Sequence, residues 1–121
     1  MKRLVLVLAL VPAAVFAQPA APQSSPALSM EQRMLVRCSA AFALAANRQQ
    51  AGNQEALAWP ALQERGSEYF IRASAEIMDQ TGMNREAIAR VLSAEAQDIS
   101  GKNTLSQVMP HCLLSLAASG L

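Results

Sequence analysis

Apolar residues return every three or four positions along most of this chain, and no stretch alternates with period two, a pattern that predicts helices and no sheet. Ser29 followed by Gln32 has the S-x-x-Q form of a capping box, in which each side chain satisfies a backbone N–H left over at a helix start. The first helix is therefore expected from about Met30 to about Gln50, ending before Gly52. Met30, Met34, Cys38, Ala41, Phe42 and Ala45 share one of its faces, while Leu35, Val36, Ala40, Ala43 and Leu44 carry apolar character over much of the rest. A helix this apolar belongs at the centre of a fold.

Asn53 to Ala58 reads as a short turn before Trp59-Pro60, and Pro60 suits a first helical turn because it lacks an N–H that would go unpaired there. A second helix is expected from about Pro60 to about Gln80, ending at Gly82. It buries Leu62, Gly66, Tyr69, Phe70, Ala73 and Ile77 and turns Glu64, Glu68, Arg72 and Asp79 to water. Asn84 can cap a third helix presenting Ile88, Val91, Leu92 and Ile99 and stopping at Gly101. Asn103 or Thr104 can cap a fourth, with Leu105, Val108, Met109, Cys112, Leu113 and Leu116 inward and Pro110 delaying or kinking its start. Beyond residue 17 there are three valines, four isoleucines and two threonines, too few for strands. The expected fold is all-α, a small bundle of about four helices.

The first 17 residues follow a different logic. Lys2 and Arg3 precede an apolar run from Leu4 to Ala14 broken only by Pro12, and Val15-Phe16-Ala17 suits a cleavage site, so residues 1–17 are read as a signal peptide. The run is too short to span a bilayer comfortably, and no cysteine follows the cut to take a lipid. Residues 18–29, with prolines at 19, 22 and 26 and no charge, read as a Pro/Ala/Ser-rich tether, leaving 30–121 as a single helical domain. Localisation is thus expected to be periplasmic or secreted, with no stable membrane anchor after cleavage. Taking the leader off the 121 residues lowers the apolar share from 52% to about 47%, ordinary for a globular domain. It also leaves eight basic against nine acidic residues, with the arginines interleaved among glutamates, which argues against nucleic acid and against a polybasic membrane contact.

Few residues offer chemistry. Cys38 and Cys112 fall on apolar stripes of the first and last helices, and in an oxidising compartment they are expected to form a disulfide. Two buried thiols are the plainer alternative, and a redox pair is disfavoured because 73 residues intervene where such chemistry uses C-x-x-C. His111, the only histidine, is a metal-ligand or general-base candidate by its titration range, but it lies off the apolar arc and reads as a surface residue. Met30 and Met34 set two thioethers one turn apart, a spacing able to hold Cu(I) with His111 recruited, or else simply a continuation of the core stripe. Glu95 falls inside the apolar arc of its helix, so it is either a pH-sensitive acid or a boundary residue reaching water or an arginine such as Arg37. Ile71 and Met78, seven apart and opposite the main stripe of their helix, are a candidate partner patch or a second layer of core.

The segments S-M-E-Q-R-M-L-V-R-C-S-A-A-F-A, E-R-G-S-E-Y-F-I-R-A-S-A and V-M-P-H-C-L-L-S-L, together with the leader, resemble a group of small exported bacterial two-cysteine helical proteins of unassigned function. The resemblance covers nearly the whole chain after the leader and imports no activity. In layout alone the chain is similar to the acid-stress chaperones of the periplasm, which are small, helical and held by one disulfide. No pair of catalytic groups stands at a recognised spacing, so the expectation is a non-enzymatic exported interaction protein with a protein partner and no cofactor, either a holdase chaperone or a modulator of an exported protein. The alternative is an exported copper carrier using Met30 and Met34.

Overall fold

The computed structural model describes residues 27–121; the signal-peptide reading and most of the tether reading lie outside the described residues. The described chain forms five helices: α1 Met30–Gln50, α2 Gln54–Leu57, α3 Gln63–Thr81, α4 Arg85–Gly101 and α5 Leu105–Ala118. No strand occurs among the described residues. The architecture is an all-α bundle, with the expected four helices and one added turn of helix in the 53–58 segment.

α1 starts where its capping box requires. The Ser29 hydroxyl accepts from the Gln32 N–H at 3.1 Å, and the Gln32 side chain accepts from the Ser29 N–H at 2.9 Å. The folded domain begins slightly earlier than the capping residue, because Leu28, which the tether reading included, packs half-buried against the core cluster that contains Val36, Ile77 and Ile88. Asn53 and Asn84 cap α2 and α4 through their side-chain oxygens. Gly82 closes α3 in the left-handed region at φ 73°, where a side chain would be strained.

α3 begins at Gln63, three residues after Pro60, so Pro60 does not serve as a first-turn proline. Gln49 explains the delay. Its amide nitrogen donates to the carbonyls of Ala56, Trp59 and Pro60, and its oxygen accepts from the Leu62 N–H at 3.1 Å, holding the segment as a loop against the end of α1. Thr104 occupies the position before α5 without a side-chain cap bond, and its hydroxyl is buried with no partner among the described residues. Pro110 is the sixth residue of α5, so the helix start is not delayed by it.

α1 is the hub, packed against α2, α3, α4 and α5, whereas α3 meets α4 and α5 only sparingly. Cys38, Ala41, Phe42 and Ala45 of α1 meet Tyr69 and Ala73 of α3, Ile99 of α4, and Leu105, Met109, Cys112 and Leu116 of α5 in the main core. Alanine and glycine set how tightly these helices approach: a Cβ on Gly66 would stand 2.8 Å from the Phe42 Cβ. The Phe42 and Tyr69 rings meet edge to face at 5.1 Å between centroids, a favoured arrangement for two aromatic quadrupoles. A second core, of Val36, Ile77, Met83, Ala87 and Ile88, fills the end of the bundle where α3 turns into α4.

The predicted disulfide closes the fold. Cys38 and Cys112 are joined, both fully buried, with their Cα atoms 5.1 Å apart.

Candidate functional site

Because α3 and α4 both rest on α1 and scarcely touch each other, a groove opens between them with α1 as its floor. Its volume is about 890 Å³. Phe70, Ile71 and Met78 form the α3 wall, Ile88, Ala89 and Leu92 much of the α4 wall, and Ala40 and Leu44 the floor. Ile71 is 57% exposed, one of the few large apolar side chains left in solvent among the described residues. The groove therefore gathers Ile71 and Met78 into one concave apolar surface, not an isolated patch on a convex helix.

Polar groups stand at the groove's margins. Asp79 on α3 and Arg85 on α4 face the end nearest the α3–α4 turn, Asn47 and Ser93 lie farther along, and the Ser74 hydroxyl is buried in the wall with no hydrogen-bond partner among the described residues. Neither Asp79 nor Arg85 makes an ion pair among the described residues. Sequence alone places Asp79 on the solvated side of its helix and assigns Arg85 no role.

The other residues singled out from sequence are elsewhere. Glu95 lies on a different face of α4, beside a smaller cavity of about 280 Å³ that Leu28, Val36 and Val91 also line. It is not a buried, unpaired acid. Its side chain is half-buried and accepts from Arg37 of α1 at 2.7 Å, and the same guanidinium reaches Asp98 at 3.1 Å. Lys102 donates to Asp98 at 2.7 Å, so a four-member ionic chain runs from α1 along the outer edge of α4. Glu95 raises the Arg37 pKa further above its ordinary value, and the Lys102 and Arg37 hydrogen bonds hold the Asp98 carboxyl below the usual range.

Met30 is 85% exposed and Met34 45%, so the stripe they share with Cys38 runs out into water instead of continuing the core. The core packing begins at Leu35 and Val36 and does not cover the first turn of α1. His111 is exposed on α5. Cys112, in the disulfide, offers no thiolate beside it. Among the described residues no three His, Cys, Asp or Glu side chains cluster in a way that would hold a metal ion.

Tyr69, which reads as plain core in the sequence, carries the one hydrogen bond that links α3 and α5 through side chains in the interior. Its hydroxyl lies 2.7 Å from the Ser115 Oγ, and burial pushes the phenol above its ordinary pKa. The groove as a whole is not visible from the sequence, since Phe70, Ile88 and Leu92 look like core there and only Ile71 and Met78 stand out as a candidate patch. The available signal was the run of small residues on α4, Ala89, Ser93 and Ala96, which fall on one helical face and fill no space.

No helix among the described residues is long and apolar enough to cross a membrane. Compared with family models, curated proteins and solved structures, the chain matches none.

Proposed function

We propose that the chain is a non-enzymatic interaction protein of the periplasm or extracellular space, a holdase or a modulator of an exported protein, which engages an apolar stretch of its partner through the α1–α3–α4 groove. The observation that carries this reading is the groove with Ile71 and Met78 in its wall. A concave apolar surface on an otherwise well-packed bundle keeps apolar area in contact with water, a cost that a partner removes. A buried disulfide suits an oxidising compartment, and the leader read from residues 1–17 would deliver the chain there.

The test is suppression of light scattering by a thermally unfolded client enzyme, with wild type set against the Ile71→Ser, Met78→Ser double variant. Wild type should suppress aggregation and the variant should not, with equal helicity in both. Equal suppression by the two would move the contact off this groove. Export is tested separately by mass analysis of the protein from its native host, where Gln18 should be the first residue and an intact Met1 would count against it.

A second reading, soft-metal carriage, is favoured by one observation: Met30 and Met34 are both in solvent one turn apart, where thioethers can reach a Cu(I) ion. Stoichiometric Cu(I) binding lost in the Met30→Leu, Met34→Leu variant would support it.

A further inference from the structure

The groove's dimensions and chemistry narrow what fits it. At 1.5 Å per residue its α3 wall, from Phe70 to Asp79, is about 14 Å long, and its α4 wall, from Arg85 to Ala96, about 16 Å. Both walls therefore offer about three helical turns. Beyond the first turn of α4, the surfaces are helix flanks whose backbone N–H and C=O groups are already bonded within α3 and α4. An extended peptide laid there would bury its own backbone groups unpaired, whereas a helix brings them satisfied. Ala40, Ala75, Ala89 and Ala96 keep the floor and walls low, which lets a cylinder about 10 Å across approach closely.

Charge and area argue against a lipid and against a folded partner. Asp79 and Arg85 stand at the same end of the groove on opposite walls, and neither is engaged in an ion pair among the described residues. An acyl chain with an anionic head would meet Asp79 as well as Arg85 there. A helix can instead set a basic side chain against the α3 wall and an acidic one against the α4 wall. Sixteen residues line the groove, short of the 20 to 30 per side through which stable folded partners, a second copy included, usually associate.

Resting on the reading of this groove as the partner site, we infer that its occupant is a single amphipathic helix of about three turns. The helix places Leu- or Ile-sized side chains on the α1 floor and is oriented by a basic residue at Asp79 and an acidic residue at Arg85.

The probe is a capped 14-residue synthetic helix with leucines at i, i+3, i+4 and i+7, and with Lys and Glu placed on opposite flanks at one end, titrated against the disulfide-intact chain. Ala89→Arg, an exposed change on the α4 wall that leaves the cores untouched, should weaken binding at least about tenfold by filling the groove. Asp79→Lys with Arg85→Glu should weaken it about fivefold, the scale of two exposed ion pairs, and a peptide with Lys and Glu exchanged should restore it. Peptide affinity unchanged by Ala89→Arg overturns the inference. So does saturable binding of sodium dodecanoate at this groove with no peptide binding, or a dimer in sedimentation equilibrium that Ala89→Arg dissociates. If the peptide fails while client protection still depends on Ile71 and Met78, the helix is wrong and the proposed function stands. If both fail, the groove is not the partner site.

Discussion

The Cα of Gly66 on α3 faces the Phe42 side chain on α1 so closely that an added Cβ would lie 2.8 Å from the Phe42 Cβ. Real side chains do not approach that far, and Phe42 is fully buried between the helices with its ring edge-on to Tyr69, so it has nowhere to retreat. Gly66→Ala should therefore destabilise the bundle by about 1–3 kcal/mol through overpacking, although alanine is the better helix former by about 1 kcal/mol. Urea unfolding checks this. A stability gain would mean that α1 and α3 can separate freely.

Much of the architecture could be read from residue order because the signals were local. Ser29 and Gln32, Asn84 and Gly82 each fix a helix boundary through bonds reaching no more than four residues, and the sequence places those boundaries within a residue or two. The start of α3 was misplaced because the deciding group, the Gln49 side chain, is 13 residues away along the chain from the Leu62 N–H that it binds. The same reason hid the groove. Phe70, Ile88 and Leu92 have the spacing of core residues, and only the separation of α3 from α4 over α1 leaves them lining a trough. Met30 and Met34 fit the periodicity of α1, yet periodicity does not say where a neighbouring helix stops covering the stripe.

Gln49 gives a second prediction. Gln49→Ala removes the bonds to Ala56, Trp59 and Pro60 carbonyls and frees the Leu62 N–H, while that N–H stays shielded, since Leu62 is 1% exposed. Leaving such a group unpaired costs about 1–3 kcal/mol. Hydrogen exchange should show a fall in protection centred on residues 58–62, larger than any change in α4 or α5. Uniform loss of protection would mean that the loop and bundle open together.

The ionic chain through Arg37 sets a pH dependence. Lys102 and Arg37 hold the Asp98 carboxyl below its ordinary value in the folded state, so the folded form releases this proton more readily than the unfolded one. The contribution is present above the unfolded pKa and is lost as pH falls through the folded one. Wild type should therefore melt progressively lower from about pH 4 downward, and Asp98→Asn should be less stable at neutrality with a shallower acid limb. Glu95→Gln, which weakens the bond to Arg37, should lower neutral stability by about 1 kcal/mol or less because the pair is only half-buried. A gain in stability from Glu95→Gln would be the result expected of an unpaired acid and would contradict the pairing.

Tyr69 makes the opposite prediction at high pH. Burial raises its phenol pKa, so the stability it contributes is complete below the ordinary tyrosine value and declines as pH rises from about 10 toward the folded value. Tyr69→Phe removes the 2.7 Å bond to Ser115 and should cost about 0.5–1.5 kcal/mol at neutrality while flattening that alkaline decline. An alkaline melting profile identical in the two proteins would place the titration elsewhere.

The largest single effect should come from the Cys38–Cys112 bond. It closes a loop with a sequence separation of 74, for which the loss of unfolded-chain entropy is worth about 4 kcal/mol, a large share of what holds a domain of this size together. Its position concentrates that effect, because it ties the first long helix to the last, and the remaining side chains α5 buries in the main core are Leu105, Met109 and Leu116, with Val108 and Leu113 partly buried beside them. Both sulfurs are fully buried, so reductant reaches them only when the bundle opens. Reduction should accordingly be slow in native buffer and fast near the melting transition, and the reduced protein should melt many degrees lower. The Cys38→Ala, Cys112→Ala variant, which removes the bond without burying free thiols, should share the lowered melting temperature. Rapid native-state reduction with an unchanged melting temperature would show that α5 is held without the bond.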